Sequence, residues 1–209
     1  MKLKVCGINN PENLQQIAGL KPDCLGFIFY KQSKRYAGSK ITPSAIDAIP
    51  QNIKRVGVFV NEAFDALQKT VKKFKLDYVQ LHGNESVAYC SRLFVEGIKV
   101  IKAFNVDENF DFRMLDAYTP FCSYFLFDTK GQHPGGNGIK FNWELLKAYD
   151  LKLPFFISGG IGPDDAQLLK KLSFTMNFGV DINSRFEIKP GTKNTQKIKI
   201  FKQQLNLIK

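Results

Sequence analysis

The chain has 209 residues, of which 44% are hydrophobic and 23% charged, and this length and composition are typical of one globular domain with a sizeable core. No apolar run reaches the roughly 18 residues that a membrane-spanning helix needs, and no signal peptide follows the N-terminal lysines. The formal net charge is +11, but the lysines are spread along the chain, which is typical of solvated helix faces and suits attraction of a polyanionic small substrate. We therefore expect a cytoplasmic protein whose partners include neither a membrane nor a nucleic acid.

Short runs rich in β-branched or aromatic residues alternate along the chain with amphipathic stretches of helical period. The predicted strands are residues 3–6, 24–29, 55–60, 78–81, 99–103, 123–127, 154–157 and 175–179. The predicted helices are residues 11–19, 43–48, 62–74, 85–95, 110–118, 142–149, 163–172 and 194–207. Three of these helices begin with proline, which is tolerated in the first helical turn.

Eight strand–helix repeats predict an α/β fold, namely a single-domain (β/α)₈ TIM barrel that spans residues 1–209. An open doubly wound sheet is the alternative. Reactive residues after both the first and the last predicted strand favour closure, because those strand ends could lie far apart in an open sheet. The longest irregular segments, 30–42 and 130–140, follow predicted strands, which places them on the carboxyl-terminal face where barrel active sites form.

Cys6 closes the first predicted strand and shares its face with Lys4, whereas Leu3 and Val5 share the other face. In a barrel the two apolar side chains would meet the helices, so Lys4 and Cys6 would point inward, with Cys6 at the rim. The neighbouring ammonium favours the thiolate, which is the form that acts as a base or nucleophile. The alternative interpretation is that Cys6 is a buried strand cysteine.

Asp128 closes the sixth predicted strand on the same face as Leu126, while Phe125 and Phe127 share the opposite face. A carboxylate after such an apolar run is costly unless it is hydrogen-bonded or functional. A thiol and a carboxylate on two strand ends are a possible base and acid pair. The alternative is an aspartate that caps a helix or braces a loop.

Glycine-rich segments follow the seventh and the eighth predicted strands, beginning at Ser158 and Gly179 respectively. Glycines let backbone N–H groups approach an anion, and barrel phosphate sites often lie at these two loops. The residues that we expect to contact a phosphate are Gly159, Gly160, Gly179, Asp181, Asn183 and Ser184. A pair of tight turns is the alternative, and the glycines of 135–138 are predicted to form a loop hinge.

Two further side chains are candidate substrate contacts. Arg35 lies in the long segment after the second predicted strand, and its planar guanidinium matches a carboxylate in a bidentate manner. His82 ends the fourth predicted strand. The remaining cysteines lie in apolar segments, and no Cys/His cluster has zinc spacing, so we predict no metal site.

Several segments, taken in chain order, resemble the phosphoribosylanthranilate isomerase family. They are Lys4-Val5-Cys6-Gly7-Ile8, Gly26-Phe27-Ile28-Phe29, Ser33-Lys34-Arg35-Tyr36, Val56-Gly57-Val58-Phe59, Gln80-Leu81-His82-Gly83, Asp128-Thr129, Gly135-Gly136-Asn137-Gly138 with Phe141, Ser158-Gly159-Gly160-Ile161, Gly179-Val180-Asp181 and Pro190-Gly191-Thr192-Lys193. Two departures stand out. Lys34 occupies a position where the family often has proline, and Asn183-Ser184-Arg185 replaces the family's Ser-Ser-Gly, which leaves the phosphate contacts of that loop open.

The resemblance implies an Amadori rearrangement of N-(5-phosphoribosyl)anthranilate to 1-(2-carboxyphenylamino)-1-deoxyribulose 5-phosphate in tryptophan biosynthesis. It implies that Asp128 is the general acid for the ribose ring oxygen and that Cys6, as thiolate, is the general base for the C2′ proton. An isomerisation of this type needs no metal or redox cofactor. The phosphosugar substrate carries a phosphate for the glycine loops and a carboxylate for Arg35. A monomer is the favoured state, although the sequence leaves the oligomeric state open.

Other function classes are weighed against this one. The histidine-pathway isomerase has a similar outline but an aspartate where Cys6 stands, and a side activity on its substrate stays open. A ribulose-phosphate epimerase would offer metal-binding His/Asp pairs, which this sequence lacks. A nucleic-acid-binding protein would cluster basic residues with exposed aromatic ones, whereas the 19 phenylalanines follow strand and helix patterns.

Overall fold

The computed structural model describes residues 1–129, 142–172, 174 and 178–207. In these ranges eight parallel strands form a closed barrel in chain order, with the first strand paired to the eighth. The strands are β1 (Lys2–Cys6), β2 (Cys24–Ile28), β3 (Lys54–Phe59), β4 (Tyr78–Leu81), β5 (Val100–Val106), β6 (Tyr124–Thr129), β7 (Phe155–Ile157) and β8 (Phe178–Ile182). The predicted single-domain (β/α)₈ barrel is confirmed, and the open sheet is excluded because β1 pairs with β8.

Helices connect the strands, although some of the predicted ones differ in type. The α-helices are α1 (Pro11–Gly19), α2 (Pro43–Asp47), α3 (Phe64–Phe74), α4 (Val87–Val95), α5 (Ala166–Lys171) and α6 (Thr195–Gln204). The segments after β5 and β6, Phe112–Phe121 and Trp143–Ala148, are 3₁₀ helices. Pro120 lies inside the first of them and cannot donate a backbone hydrogen bond. In the described ranges no helix is long and apolar enough to cross a membrane.

Side chains alternate between the barrel interior and the layer of helices, as the strand pattern predicts. The interior cluster consists of Cys24, Val56, Ile101, Ala103, Leu126 and Phe156. Leu3 and Val5 of β1, and Phe125 and Phe127 of β6, belong instead to the larger core between barrel and helices. The inward direction predicted for Lys4, Cys6 and Asp128 follows from this alternation.

β8 lies further along the chain than predicted, and the first predicted residues, 175–177, are outside the described ranges. Gly179 therefore lies within the strand, paired with Lys2 at the amino-terminal end of the barrel, and not in a carboxyl-terminal loop. A Cβ on Gly179 would lie 2.6 Å from the Phe156 ring, so the glycine leaves room for that ring. The prediction that Gly179 contacts a phosphate is wrong, because this residue lies inside β8, away from the carboxyl-terminal loops. The β-branched and aromatic residues before Gly179 led to a predicted strand that ends too early. The candidates 135–138 and Phe141 also lie outside the described residues.

After β8, a 3₁₀ turn (Ser184–Phe186) leads into a two-stranded antiparallel hairpin that the sequence did not predict, formed by β9 (Glu187–Lys189) and β10 (Thr192–Lys193). Asn13 of α1 fixes this hairpin. Its Oδ1 accepts the Lys193 backbone N–H at 2.7 Å, and its Nδ2 donates to the Lys193 carbonyl at 2.9 Å. The hairpin is thereby held against α1, beside the carboxyl-terminal end of β1.

Candidate active site

A cavity open to solvent lies at the carboxyl-terminal end of the barrel. It is lined by Cys6, Ile28, Tyr30, Ser33, Val58, Val60, Gln80, His82, Asp128, Ser158, Gly159, Gly160, Ile161, Asp181, Asn183 and Ser184. All the predicted site residues except Arg35 and Gly179 share this cavity. The strand ends therefore assemble one polar site from residues that are far apart in the sequence.

Cys6 lies at the end of β1 and is only 4% exposed. A Cβ on Gly26 of β2 would lie 2.8 Å from Cys6 Sγ, so the glycine leaves the space that the thiol occupies. Burial raises the pKa of Cys6, and the ammonium groups of Lys4 and Lys193 offset the rise only in part. Lys4 acts in the direction that the sequence predicted, but burial outweighs it and the neutral thiol is favoured.

Lys4 and Asp181 form a buried ion pair inside the barrel. Lys4 Nζ donates to Asp181 Oδ1 at 2.9 Å, and the side chains are 0% and 4% exposed. Burial disfavours the charge on Lys4, but the Asp181 carboxylate and the ionised form of Cys6 outweigh it and raise the pKa of Lys4. Burial raises the pKa of Asp181, and Lys4 limits that rise. Asp181 lines the cavity, but one of its oxygens is already committed to Lys4.

Asp128 is held at the end of β6 by two hydrogen bonds. Its Oδ1 accepts the Thr129 backbone N–H at 2.8 Å, and its Oδ2 lies 3.1 Å from His82 Nε2. Gln80 Nε2 lies 2.8 Å from His82 Nδ1. With the Gln80 amide as placed, its nitrogen can only donate, so Nδ1 accepts and Nε2 carries the proton that is donated to Asp128. His82, predicted as a substrate contact, therefore also orients the carboxylate.

The turn after β7 has the geometry of an anion site. Gly159 and Gly160 have positive φ angles of 83° and 63°, which favour glycine. Within the described part of the chain, their backbone N–H groups donate to no other group. Asn183 and Ser184, at the end of β8, line the same cavity. Unpaired N–H groups in a glycine-rich concavity are an arrangement that binds anions.

Arg35 lies beside the cavity in an ion-pair network with the hairpin. Glu187 accepts from Arg35 Nε at 2.9 Å and from Nη2 at 2.7 Å, and it also accepts from Lys193 Nζ at 2.7 Å. Burial disfavours the charge on Glu187, but Arg35 and Lys193 outweigh it and lower its pKa. The Nη1 edge of Arg35 has no hydrogen-bond partner among the described residues. One edge of the guanidinium is fixed by the protein, and the other remains for a ligand.

Sequence analysis missed several residues that shape the site. Gly26 makes room for Cys6, Gln80 contacts His82 Nδ1, and Glu187 holds Arg35. Gly26, Gln80 and Lys193 appeared only within segments that resemble the family, with no role assigned. The contacts of Lys193 with Asn183 and Glu187 join positions that no local pattern links. In the part of the chain that the structure describes, no group of three His, Cys, Asp or Glu side chains could hold a metal ion.

Comparisons with known proteins agree with this geometry. The family model of N-(5′-phosphoribosyl)anthranilate (PRA) isomerase matches residues 3–204. The chain is 41% identical to the N-(5′-phosphoribosyl)anthranilate isomerase of Parabacteroides distasonis, over 98% of this chain and 93% of that protein. It is similar to the crystal structure of phosphoribosyl anthranilate isomerase from Thermotoga maritima, with a TM-score of 0.83, 32% identity and complete coverage of both chains.

Another similar structure is a phosphoribosyl anthranilate isomerase in complex with reduced 1-(o-carboxyphenylamino)-1-deoxyribulose 5-phosphate, with a TM-score of 0.80, 31% identity and complete coverage of both chains. The resemblance that the strand-end motifs indicated thus extends over nearly the whole chain, in sequence and in fold. The chain belongs to the N-(5′-phosphoribosyl)anthranilate isomerase family of TIM-barrel isomerases.

Proposed function

We propose that this enzyme converts N-(5-phosphoribosyl)anthranilate to 1-(2-carboxyphenylamino)-1-deoxyribulose 5-phosphate by an Amadori rearrangement, as a step of tryptophan biosynthesis, with Cys6 as general base and Asp128 as general acid. The observation that carries the proposal is that the two groups reach one cavity from separate strands, β1 and β6. The reaction isomerises an aldose to a ketose within one molecule. Its two proton transfers need an acid and a base at different places around the sugar.

In the first step, protonated Asp128 gives its proton to the ribose ring oxygen, and the ring opens to a Schiff base. The hydrogen bond from His82 Nε2 and the Thr129 backbone N–H support this role, because they fix the orientation of both carboxyl oxygens. A general acid must lie within hydrogen-bond reach of the atom that it protonates. An Asp128 held in this way needs no search among rotamers to reach that atom once the sugar is bound.

In the second step, the Cys6 thiolate removes the C2′ proton, and the resulting enolamine tautomerises to the ketone. The buried thiol faces the same cavity, and Lys4 and Lys193 both favour its ionised form. Asp128 must start protonated and Cys6 must start ionised. Only the fraction of enzyme molecules in this combined protonation state is active. Opposite requirements of this kind predict a bell-shaped dependence of kcat/KM on pH.

The remaining cavity residues are assigned to the substrate's two anionic ends. The N–H groups of Gly159 and Gly160, with Asn183 and Ser184, form the proposed phosphate site, and the free Nη1 edge of Arg35 is assigned to the anthranilate carboxylate. The related enzyme that binds a reduced carboxyphenylamino-deoxyribulose phosphate supports a ligand with both groups. Asp181 and His82 border the ribose portion in this assignment.

The activity is tested with phosphoribosylanthranilate generated freshly in the cuvette, whose fluorescence is lost as it isomerises. The purified enzyme should remove the fluorescence catalytically, and a parallel reaction with the histidine-pathway substrate measures any side activity. A chain that leaves phosphoribosylanthranilate untouched while it isomerises the histidine-pathway substrate would contradict the proposal. A monomeric state and a cytoplasmic location remain predictions that this assay does not address.

A further inference from the structure

The hairpin after β8 places a buried lysine beside the proposed base. The Lys193 side chain is fully buried, and its Nζ donates to Glu187 Oε1 at 2.7 Å and to Asn183 Oδ1 at 2.6 Å. Lys193 and Cys6 interact electrostatically: the ammonium lowers the pKa of the thiol, and the thiolate raises the pKa of the ammonium. A fully buried lysine is rare unless it is paired or functional.

The charges around Lys193 do not cancel. Arg35 and Lys193 contribute two positive charges, and Glu187, which contacts both, contributes one negative charge. The neighbouring pair of Lys4 and Asp181 is neutral as a unit. One positive charge is therefore left over, and burial together with Arg35 lowers the pKa of Lys193 to about 8 despite Glu187. A nearby anion would neutralise this remaining positive charge.

The Cys6 thiolate is the anion that the fold can place there. The charged groups that act on Cys6 are Lys4 from its own strand, Asp181 from β8 and Lys193 from β10. Lys4 is already neutralised by Asp181 at 2.9 Å, whereas Lys193 shares with Arg35 the one carboxylate that it contacts among the described residues. Lys4 has the larger effect on the thiolate, and Lys193 adds a second positive charge that its carboxylate neutralises only in part.

We propose that Lys193 is a positioning residue of the isomerisation, whose ammonium stabilises the Cys6 thiolate while the shared Glu187 holds Arg35 ready for the substrate carboxylate. This inference rests on the proposed function, because it gives Cys6 and Arg35 the roles assigned above. It assigns Lys193 no contact with substrate.

The same network fixes the geometry of the rim. Lys193 Nζ also donates to the Asn183 backbone carbonyl at 3.3 Å, so it holds both carbonyl oxygens of a residue that lines the cavity. A Cβ on Gly7 would lie 2.7 Å from Asn183 Oδ1 and 2.8 Å from Arg35 Cδ. Gly7 follows Cys6 directly and has a φ of 78°. The residue after the base is thus packed between the two side chains that the hairpin holds.

The test measures ionisation of Cys6 directly, by following the rate of its alkylation by iodoacetamide against pH and identifying the Cys6 peptide by mass spectrometry. Lys193→Met should raise the apparent pKa of Cys6 and slow alkylation about tenfold at neutral pH, because one nearby positive charge is lost. Lys193→Arg should retain most of the wild-type rate. Lys193→Gln, a second neutral replacement, should slow alkylation as Lys193→Met does.

The retained rate in Lys193→Arg separates the effect of charge from disruption of the fold, because disruption would slow alkylation in every Lys193 variant. Lys202→Met is the matched control, because Lys202 is a buried lysine whose Nζ donates to the Leu20 and Lys21 carbonyls, away from the cavity. It should leave alkylation of Cys6 unchanged. If Lys193→Met does not fold, Lys193→Gln decides the question. A wild-type rate of Cys6 alkylation in a folded neutral variant, Lys193→Met or Lys193→Gln, would overturn the proposal.

Turnover of these variants and of Glu187→Gln separates this proposal from the proposed function. In Lys193→Met, kcat at neutral pH should fall by the same factor as alkylation, while Glu187→Gln should raise KM because Arg35 is released. A changed alkylation rate with unchanged kcat confirms the action of Lys193 on Cys6 and refutes the role of Cys6 as base.

Discussion

Removal of the Asp181 charge should destabilise the barrel strongly, because it would leave Lys4 buried without a counter-ion. Lys4 Nζ lies 2.9 Å from Asp181 Oδ1, and the side chains are 0% and 4% exposed. Breaking a buried ion pair on one side typically costs about 3–5 kcal/mol. For a chain of this size, each kcal/mol lowers Tm by about 2–4 °C, so Asp181→Asn should melt roughly 6–20 °C below the wild type.

The matched control is an ion pair with the same geometry and a different environment. Lys75 Nζ lies 2.9 Å from Asp47 Oδ2, but these side chains are 68% and 52% exposed. Water screens such a pair, so Asp47→Asn should leave the unfolding midpoint unchanged. The comparison isolates burial, because the distance between the charged atoms is the same in the two pairs.

Urea unfolding followed by circular dichroism gives the free energy of unfolding for both variants, and Lys4→Met combined with Asp181→Asn completes the set. The double variant should recover most of the loss, because it removes the unpaired ammonium and keeps a side chain of similar length. Equal stability of Asp181→Asn and Asp47→Asn, or a double variant less stable than Asp181→Asn, would refute the reasoning.

Three further predictions concern the cavity. Gly159→Ala should lower stability and kcat, because its Cβ would lie 2.7 Å from Asp128 Oδ1 and its φ is 83°. Gly162→Ala is the control and should be nearly neutral in both assays, because its Cβ would lie 3.2 Å from the flexible side chain of Arg185. Cys6 should react with iodoacetamide more slowly at pH 7 than an exposed cysteine, since burial raises its pKa; a rate typical of a free thiolate would contradict this. Arg35→Ala should raise KM more than it lowers kcat, and Arg35→Lys should rescue KM only partly, since an ammonium cannot replace the bidentate fork; full rescue by lysine would refute the assignment.

The sequence was informative wherever a local pattern determines a direction in space. Alternation along β1 and β6 was sufficient to point Cys6 and Asp128 into the barrel, because Leu3, Val5, Phe125 and Phe127 need the apolar layer outside it. Eight strand–helix repeats likewise predicted closure. These inferences depend only on the period of a strand and on hydrophobic burial.

Features that depend on contacts between distant residues could not be predicted in this way. The pairing of Lys2 with Gly179 sets the register of β8, and no local signal distinguishes it from a strand three residues earlier. The bond between Arg35 and Glu187 joins residues 152 positions apart. The ionisation of Cys6 depends on burial as well as on Lys4, and only the folded chain shows which effect is larger.

The most direct test of the central claim is the turnover of Cys6→Ser and Asp128→Asn in the phosphoribosylanthranilate fluorescence assay, with circular dichroism to show that both variants are folded. Serine is a far weaker base than a thiolate, and asparagine has no acidic proton to donate. General acid–base groups typically contribute about 10²–10⁴-fold to rate, so each variant should lose at least that order of turnover. Near-wild-type turnover in folded Cys6→Ser or Asp128→Asn would contradict the account and require the base or the acid to be reassigned.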